Sequence, residues 1–333
     1  MSEDIKNSNE EPKVGAIAEI EDDPVEVRRA KREALIAEGK NPYGHAFEYS
    51  HHVADLNERY ANLGDGENTE DRVQIAGRIM AKRDQGKIIF MELKDSTASL
   101  QLFCRINALG EEVFAEMKDL DVGDWIGVSG LMMRTRRGQL SVAVDTFELL
   151  SKSLRPLPEK FHGLADKETR YRQRYVDLVM NEDVRDTFEK RFKIISAVRR
   201  YMEDQQFYEV ETPFLHPILG GANAKPFVTH FNALDRDYFL RIATELPLKR
   251  LLVGGFERVF EIGRQFRNEG MDPYHNPEFT TMEAYQAFTD LRGMMKLTQG
   301  FVQAAAMAAC GTLQIEYQGN QLDLGGEWRV ATM

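Results

Sequence analysis

The chain has 333 residues, of which 42% are hydrophobic and 29% charged, and this length predicts two domains rather than a single hydrophobic core. Its longest stretch of small and apolar residues, 301–311, is interrupted by Gln303 and is shorter than the roughly 20 residues that cross a bilayer, so no membrane association is expected. A secretory signal is not recognisable at the N-terminus and only Cys104 and Cys310 occur, which favours the reducing cytoplasm.

The net charge of −11 argues against nucleic acid at first sight, because phosphate groups are bound by Lys and Arg. Much of that charge lies in residues 1–24, which are rich in Asp and Glu and are expected to form an acidic disordered tail. Residues 152–174 carry a local excess of bases. This excess fits either contact with a phosphate backbone or an ordinary solvated surface.

Residues 25–71 are predicted to form an N-terminal helix and a connector. The helix has Pro24 near its start and Gly39 where a C-terminal cap would lie. The connector, residues 41–71, shows little periodicity. A domain is expected to begin near Arg72.

Residues 72–152 contain three short β-rich runs, then a helical stretch at residues 111–120, then two more strands that divide near Gly138. Five strands with a helix after the third is the order of an OB-fold barrel, a common oligonucleotide-binding architecture. The alternative is another small β-barrel without a nucleic-acid role.

Residues 153–175 are basic and contain prolines, which is typical of a linker, and residues 176–333 are expected to form the second domain. A helix is predicted at residues 187–205. Its apolar residues recur at helical spacing and are interpreted as core: Phe188, Phe192, Ile195, Val198 and Met202. A short strand that is stopped by Pro213 follows, with Val210 pointing inward.

Two further strands are predicted on either side of a loop at residues 270–276. Strand parity places Arg267 and Glu269 on one face of the first strand, and the loop carries His275. The returning strand presents a second set on one face: Phe279, Thr281, Glu283 and Tyr285. These side chains can converge on one sheet surface, although charged residues on a strand face are often only its wet side.

That mixture of side chains suits a nucleotide and a cationic group. Arg267 offers a planar fork of donors that matches a phosphate, and Phe279 offers a flat surface on which a base can stack. Glu269 can accept a hydrogen bond from an exocyclic amine. Glu283 and Tyr285 can receive an ammonium group, which needs an anionic or hydrogen-bonding partner.

The segment FRNEG…HNPEF…ME resembles the second signature motif of class II aminoacyl-tRNA synthetases. The predicted helix that leads to EVETP resembles the first motif, whose proline, here Pro213, would lie at a homodimer interface. A preceding OB-fold is similar to subclass IIb, and runs such as RIATELPLKRLLVGGFERVFEIGRQFRNEG resemble the lysyl-tRNA synthetases. The resemblance implies an α+β fold: an OB-fold barrel followed by an incomplete class II antiparallel sheet with flanking helices.

The resemblance also implies roles for residues in the second domain. Arg267 is expected to be catalytic, binding the α-phosphate of ATP and the carboxylate of lysine. Glu269 would bind the adenine amine, Phe279 the adenine face, and His275 the outer phosphates. Lysine would be bound by a further set: Gly221 and Glu245 at its α-amino group, and Glu283 and Tyr285 toward its ε-ammonium.

In the barrel, Arg83, Phe90 and Gln101 match positions that would contact the anticodon of tRNA(Lys). Gln139 stands where the resemblance leads us to expect an acidic residue. The implied reaction has two steps, attack of the lysine carboxylate on the ATP α-phosphorus and transfer of the lysyl group to a tRNA hydroxyl. It needs Mg²⁺ and no protein nucleophile.

The third motif of the class, with the Mg²⁺ ligands, is expected after residue 333, so no metal ligands are assigned and this chain alone is expected to be inactive. Two other interpretations stay open. The chain could belong to an aspartyl or asparaginyl enzyme, although Glu245 disfavours an acidic substrate. It could also be a non-catalytic tRNA-binding paralogue.

Overall fold

A computed structural model describes residues 23–44, 46–158 and 164–332. The chain divides into two compact units, residues 1–170 and 171–333, which are treated separately below. The expected disordered tail lies almost wholly outside the described residues, as does part of the expected linker. Within the described residues, no helix combines the length and apolar character needed to cross a membrane.

The described part of the first unit contains four helices before residue 152 and five strands. The helices are α1 (Pro24–Ala37), α2 (Val53–Arg59), α3 (Ile106–Leu109) and α4 (Glu111–Asp119). The strands are β1 (Asn68–Asp84), β2 (Ile88–Lys94), β3 (Ser99–Arg105), β4 (Trp125–Arg134) and β5 (Leu140–Ser151). A further short helix, α5 (Lys167–Arg172), lies at the unit boundary.

The five strands form the expected barrel. Their order is β1-β2-β3-β5-β4, and β4 pairs back to β1, which closes the sheet. All neighbouring pairs are antiparallel except β3 and β5, which are parallel. Alternate residues point inward, as Met91 and Leu102 do, and are almost completely buried. The helix expected after the third strand is present as α4, whose Phe114 and Met117 join this core.

The predicted first helix is confirmed as α1. The Asp23 side chain accepts a hydrogen bond from the backbone N–H of Val25 at 2.8 Å, and Pro24 occupies the first turn, where its missing N–H costs nothing. Arg28 is buried and donates to the carbonyl oxygen of Arg155 at 3.2 Å. This bond ties α1 to the chain that follows β5.

The expected irregular connector is wrong in part. Residues 53–59 form α2, and β1 begins at Asn68, four residues before the expected start of the domain. Val53 and Leu56 of α2 are fully buried in the barrel core, and the Asp95 carboxylate accepts the Val53 N–H at 2.8 Å. Contacts with residues distant in sequence therefore fix α2, and local periodicity does not reveal them.

The second unit contains four helices and three small sheets. Its helices are α6 (Arg174–Met180), α7 (Glu182–Asp204), α8 (Glu245–Val253) and α9 (Leu291–Cys310), with a 3₁₀ turn at Asn232–Leu234. Its strands are β6 (Tyr208–Glu209), β7 (Leu215–His216), β8 (Val228–Phe231), β9 (Arg236–Leu240), β10 (Arg258–Phe266), β11 (Glu278–Gln286), β12 (Gln314–Tyr317) and β13 (Asn320–Asp323). The sheet orders are β11-β10-β6, β7-β9-β8 and β12-β13.

The α7 stripe was interpreted as core, and the structure supports this only at its C-terminal end. Met202 is fully buried with Phe207, Phe260 and Leu297, whereas Phe192 is 62% exposed. Phe188, at the N-terminal end of the stripe, is half-buried with the Arg174 guanidinium 5.5 Å from its ring centre, so this part of the stripe is only partly covered. Periodicity predicts which residues share a helix face, but it does not show whether another element covers that face.

The strand predicted before Pro213 is shorter than expected. β6 ends at Glu209 and pairs in parallel with β10 over only two residues. Val210 follows the strand and is half-buried, although its N–H still donates to the carbonyl oxygen of Phe260 at 2.9 Å. Because β6 already ends at Glu209, Pro213 does not itself end the strand.

The two predicted site strands are β10 and β11, but Arg267 and Glu269 lie beyond β10 rather than in it. The Arg267 N–H still donates to the Pro277 carbonyl oxygen at 2.9 Å, whereas the next N–H, from Asn268, donates to Lys225 at 2.7 Å. Pro277 has no N–H to extend the ladder. The chain therefore leaves the strand at Phe266, and the connection is longer than the expected loop of residues 270–276.

Candidate functional site

One face of the β10–β11 pair collects three of the predicted site residues, Phe279, Glu283 and Tyr285. Neighbours in register on this face are Gln265 with Phe279, Gly263 with Thr281, Glu261 with Glu283, and Val259 with Tyr285. The pairing therefore confirms that Phe279, Thr281, Glu283 and Tyr285 share one sheet surface.

An arginine and an aromatic ring meet at one end of this face. The guanidinium carbon of Arg267 lies 5.1 Å from the centre of the Phe279 ring. The Arg267 Nε atom is buried and has no hydrogen-bond partner among the described residues. A buried donor without a partner is unusual in a native protein and is compatible with a ligand acceptor. The pair offers a cationic fork beside a flat apolar surface.

Glu269 and His275 lie on the connection between the two strands. One Glu269 carboxylate oxygen accepts a hydrogen bond from the backbone N–H of Lys225 at 3.2 Å. The His275 imidazole is exposed and lies 2.7 Å from a carboxylate oxygen of Asp272. The backbone N–H of Tyr274 and the His275 side chain hold the pKa of Asp272 below its usual value. These two predicted residues therefore belong to an exposed loop rather than to the strand face.

Gly221 and Glu245 are close neighbours at the start of α8. The backbone of Gly221 has φ +86°, and a Cβ placed there would be 3.0 Å from the Cβ of Glu245 and 3.2 Å from that of Ala243. Pro247 occupies the third position of α8, where its missing N–H costs no helix hydrogen bond. The Glu245 carboxylate receives the Lys249 ammonium at 2.7 Å.

Glu283 and Tyr285 lie on β11 beside the start of α8. Glu283 accepts a hydrogen bond from the backbone N–H of Thr244 at 3.2 Å. Burial raises the pKa of Tyr285 to about 12, and the charges of Glu283 and Glu245 add to this rise. The Tyr285 phenol is therefore neutral at physiological pH, and the two carboxylates around it make this end of the face attractive to a cation.

Lys249 already places one cation at this end of the face. Its ammonium nitrogen lies 5.9 Å from the centre of the Tyr285 ring and 2.7 Å from Glu245. An ammonium group can therefore be held between a carboxylate and an aromatic ring here.

The sequence interpretation missed Arg241, which is 1% exposed. Its guanidinium pairs with Glu261, donates to the Thr212 carbonyl oxygen at 3.1 Å and lies 4.0 Å from the Phe214 ring centre. Glu261 is the register neighbour of Glu283. Arg241 therefore neutralises one of two adjacent carboxylates and leaves Glu283 available for a ligand. An arginine within an apolar run such as FLRIA indicates a buried guanidinium, and this pattern could have identified Arg241 from the sequence.

A second candidate site lies on the outer face of the barrel. Arg83 pairs in register with Phe90, and Phe90 pairs with Phe103, whose ring centre is 5.3 Å away. Gln101 donates to the Ser141 hydroxyl at 2.9 Å. The three predicted barrel residues therefore lie together, and the sequence interpretation missed Phe103. The period-two pattern of SLQLFCR was enough to place it outward.

Gln139 also belongs to this outer face. It lines the same groove, of about 820 Å³, as Arg83, Phe90 and Gln101. Its backbone N–H donates to the Thr135 hydroxyl at 3.0 Å, within the turn between β4 and β5. Its side chain is exposed and neutral.

Among the described residues, no group of three or more His, Cys, Asp or Glu side chains could hold a metal ion. Pro213 is exposed, and its carbonyl oxygen lies 2.7 Å from the His216 Nε2 atom.

Family models match both parts of the chain. Residues 166–332 match the family model described as tRNA synthetases class II (D, K and N), and residues 73–150 match an OB-fold nucleic acid binding domain.

Curated relatives are similar over nearly the whole chain. A lysine-tRNA ligase from Thermosynechococcus vestitus is 51% identical over 311 residues, which is 92% of this chain and 62% of the relative. Proteins of the same name from Nostoc punctiforme and Synechococcus sp. strain RCC307 are 50% and 51% identical over 94% and 92% of this chain, and the matches cover 57% and 61% of their own lengths. The chain spans about three fifths of the length of these curated relatives.

Proposed function

The chain belongs to the class II tRNA synthetases of the D, K and N group, and on this premise we propose that the protein attaches lysine to tRNA(Lys) through a lysyl-adenylate, using ATP. The observation that carries the proposal is that one face of β11 presents side chains for both a nucleotide and an ammonium group. Phe279 beside Arg267 suits a nucleotide, and Glu283 beside Tyr285 suits an ammonium group. Phe279 and Glu283 are four positions apart on the strand, about 13 Å, so one extended ligand can reach both.

At the nucleotide end, adenine stacks on Phe279 and Arg267 binds the α-phosphate. The buried Nε of Arg267 without a partner supports this assignment. Glu269 and His275 lie on the exposed loop and would reach the adenine amine and the outer phosphates when the nucleotide is bound. The lysine carboxylate then attacks the α-phosphorus, and pyrophosphate leaves.

At the amino-acid end, Gly221 and Glu245 hold the α-amino group, while Glu283 and Tyr285 hold the ε-ammonium. The ammonium of Lys249 must then share or give up its contact with Glu245. In the second step a terminal hydroxyl of the tRNA attacks the lysyl carbonyl, and AMP leaves. These residues act by positioning and by charge, so no covalent bond to the protein is formed.

Lysine is preferred over aspartate or asparagine because of the charge at this end of the face. Glu245 and Glu283 would both repel a substrate carboxylate, and Arg241 is already paired with Glu261. A non-catalytic paralogue has no need of the Arg267–Phe279 pair.

The remaining assignments complete the proposal. Arg83, Phe90 and Gln101 of the barrel recognise the anticodon. Pro213 lies at the interface of a cytoplasmic homodimer. Mg²⁺ accompanies ATP, as the class implies, and among the described residues no side chains are assigned to it.

Lysine-dependent ATP–pyrophosphate exchange tests the proposal, measured on the protein expressed from its complete reading frame. Replacing Glu283 with Gln removes one charge from the ammonium site, so the KM for lysine should rise by roughly 10- to 100-fold, which corresponds to one charged hydrogen bond. The KM for ATP should change little.

Glu278→Gln provides the matched control, because Glu278 is on the same strand but is exposed and pairs with Arg264 at 3.4 Å. Its exchange kinetics should equal those of the wild type. Exchange that is supported by aspartate or asparagine rather than lysine would overturn the assignment of the amino acid.

A further inference from the structure

Glu261 and Glu283 face each other across the β10–β11 pair, but their partners differ. They are neighbours in register on the site face, where the Cβ atoms of directly opposed residues lie about 5 Å apart. Glu261 is 5% exposed, pairs with the Arg241 guanidinium and accepts the Thr212 hydroxyl at 2.7 Å. Glu283 accepts the Thr244 N–H at 3.2 Å and forms no ion pair with a described residue. One carboxylate is therefore neutralised, and the other is open to an external cation.

The Arg241 guanidinium is held in place by several contacts. Its Nε atom donates to the Arg264 carbonyl oxygen at 2.8 Å, and its Nη1 atom donates to the Thr212 carbonyl oxygen at 3.1 Å. The guanidinium carbon lies 4.0 Å from the centre of the Phe214 ring, and the whole side chain is excluded from solvent. Any effect of Arg241 on a bound ligand must therefore act through Glu261.

Gly263 gives this guanidinium the space that it occupies. It is the next residue of β10 after Glu261 on the site face, and a Cβ placed there would overlap the Arg241 Nη2 atom. The backbone of Gly263 is not in the positive-φ region, so space rather than conformation requires a glycine here. A glycine inside a strand often marks the close approach of another group.

The backbone of Arg241 is anchored independently of its side chain. Its N–H donates to the Phe214 carbonyl oxygen at 2.8 Å, and its carbonyl oxygen accepts the Phe266 N–H at 3.0 Å. Three residues later, the Thr244 N–H holds Glu283. A substitution of the Arg241 side chain leaves these bonds in place, so its effect on lysine binding reports on the guanidinium.

Stability alone does not explain a buried ion pair at this position. Moving two charges out of water costs about as much free energy as their attraction returns, and apolar residues of similar size often stabilise a protein equally well. The Arg241–Glu261 pair, however, lies directly beside the carboxylate that is proposed to bind the ε-ammonium. Without Arg241, two carboxylates this close would repel each other and share a proton or a cation. Glu283 would then be less available to a ligand.

We propose that Arg241 is a positioning residue for the selection of lysine, acting through Glu261 to keep the Glu283 carboxylate free for the substrate ammonium. The preference for a cationic side chain then depends on a buried pair whose guanidinium contacts no substrate, and Gly263 is the position that permits this pair. The inference rests on the proposed function, since it explains how the ammonium site of that function is kept open.

A double-mutant cycle tests this by lysine-dependent ATP–pyrophosphate exchange, on the protein expressed from its complete reading frame. In Arg241→Met the two carboxylates compete for one proton or cation, and in Glu261→Met the freed guanidinium can turn to Glu283. Each single variant should therefore raise the KM for lysine by roughly 10-fold or more. Arg241→Met/Glu261→Met removes both charges and should return this KM to within about 3-fold of the wild type. The KM for ATP should change little in all three variants.

Norleucine distinguishes this role from a merely structural one, because it keeps the carbon chain of lysine but lacks the ε-ammonium. Its inhibition constant in the exchange reaction should not rise in Arg241→Met, whereas a general distortion of the site would weaken norleucine and lysine alike. Gly263→Ala is the milder variant should Arg241→Met fail to fold. It displaces the guanidinium and should raise the KM for lysine by about 3-fold or more.

Arg264→Met is the matched control, since Arg264 is on the same strand and pairs with Glu278 at 3.4 Å but is 52% exposed. Its KM for lysine should equal that of the wild type. The inference would be overturned by a wild-type KM in Arg241→Met, or in Gly263→Ala if that variant is the one that folds. No recovery in the double variant, or an equal loss of norleucine binding, would overturn it as well. An absence of lysine-dependent exchange in the wild type would instead overturn the proposed function.

Discussion

Gly221 shows how a single residue without a side chain can shape the proposed amino-acid end of the site. Its φ of +86° belongs to a region that L-residues seldom adopt, and a Cβ there would press on the Cβ of Glu245 at 3.0 Å. We predict that Gly221→Ala lowers the free energy of unfolding by about 1–2 kcal/mol. It should also raise the KM for lysine in the complete enzyme, because Glu245 must move.

Gly255→Ala is the control for that prediction. Gly255 has φ +102°, but a Cβ there would meet nothing within 4 Å. Urea unfolding should therefore show a lower free energy of unfolding in both variants, because both strain the backbone. Only Gly221→Ala should change the KM for lysine. An unchanged KM for lysine in Gly221→Ala would show that Gly221 is needed only for the backbone conformation of its turn.

At the residue scale, the sequence predicts which side chains share a strand face better than it predicts their partners. Strand parity was sufficient to predict that Phe279 and Glu283 of β11 share a face, because every second residue of a strand lies on one face. It did not reveal Arg241, since pairing of that arginine with Glu261 depends on β9 and β10 meeting in space. The contact of Lys249 with Tyr285 likewise joins a helix to a strand.

At the scale of elements, a buried charge cluster joins the end of β5 to the turn before β4. Lys152 is 5% exposed and lies 2.9 Å from the carboxylate of Asp124, which is completely buried. Lys152 also pairs with Asp121, whose carboxylate receives Lys31 of α1 at 3.1 Å. The Lys152 ammonium group therefore links the end of β5 to the turn before β4 and, through Asp121, to α1.

We predict that Lys152→Met destabilises the barrel by about 3–5 kcal/mol, because it removes the ammonium group that contacts the buried Asp124 carboxylate. Arg72→Met is the comparison, since the Arg72–Asp145 pair is exposed and should contribute at most about 1 kcal/mol. Urea unfolding of both variants measures the difference. Equal losses would mean that Asp124 is sufficiently stabilised by its backbone donors from Ser153 and Asp121.

The same cluster makes the stability of the barrel depend on pH in the acid range. Burial alone would raise the pKa of Asp121, but the ammonium groups of Lys152 and Lys31 lower it below 3.8. A lowered folded-state pKa contributes stability above the unfolded value, and this contribution is lost as the pH falls through the folded value. Stability of the wild-type barrel should therefore decrease below about pH 4, and less steeply in Lys152→Met.

Elements with strong local signals were predicted best. The five barrel strands and α4 follow from alternation and from turn residues, and α1 follows from Pro24 near its start and Gly39 beyond its end. Residues 53–59 were missed because α2 is held by Asp95, far along the chain. The end of β10 at Phe266 was missed because it is set by the bond from Asn268 to Lys225, which a strand pattern cannot reveal.

At the scale of the whole molecule, the two units differ in how completely they bury their apolar surface. The barrel closes on itself, so it has no free edge, and its core runs through all five strands. In the second unit, large apolar side chains remain exposed among the described residues, such as Tyr208 at 63%, Ile218 at 73% and Phe288 at 93%. Burial of apolar area is the main favourable term in folding, so the barrel should be the more stable unit.

The chain's two tryptophans allow this to be measured, because one lies in each unit. Trp125 is in β4, with the guanidinium of Arg78 5.1 Å from its ring, and Trp328 donates to the Leu324 carbonyl oxygen at 3.1 Å. In Trp328→Phe, fluorescence reports the barrel, and in Trp125→Phe it reports the second unit. The Trp328 signal should change at a lower urea concentration than the Trp125 signal.

Far-UV circular dichroism on both single-tryptophan variants provides the control, since each should show the same two steps regardless of which tryptophan remains. Coincident midpoints from both tryptophans would contradict the prediction and would mean that the chain unfolds as one cooperative body. Separate midpoints would instead mean that the barrel folds independently of the unit that carries Arg267 and Glu283. In that case, variants of the barrel groove can be interpreted without concern that they unfold the amino-acid site.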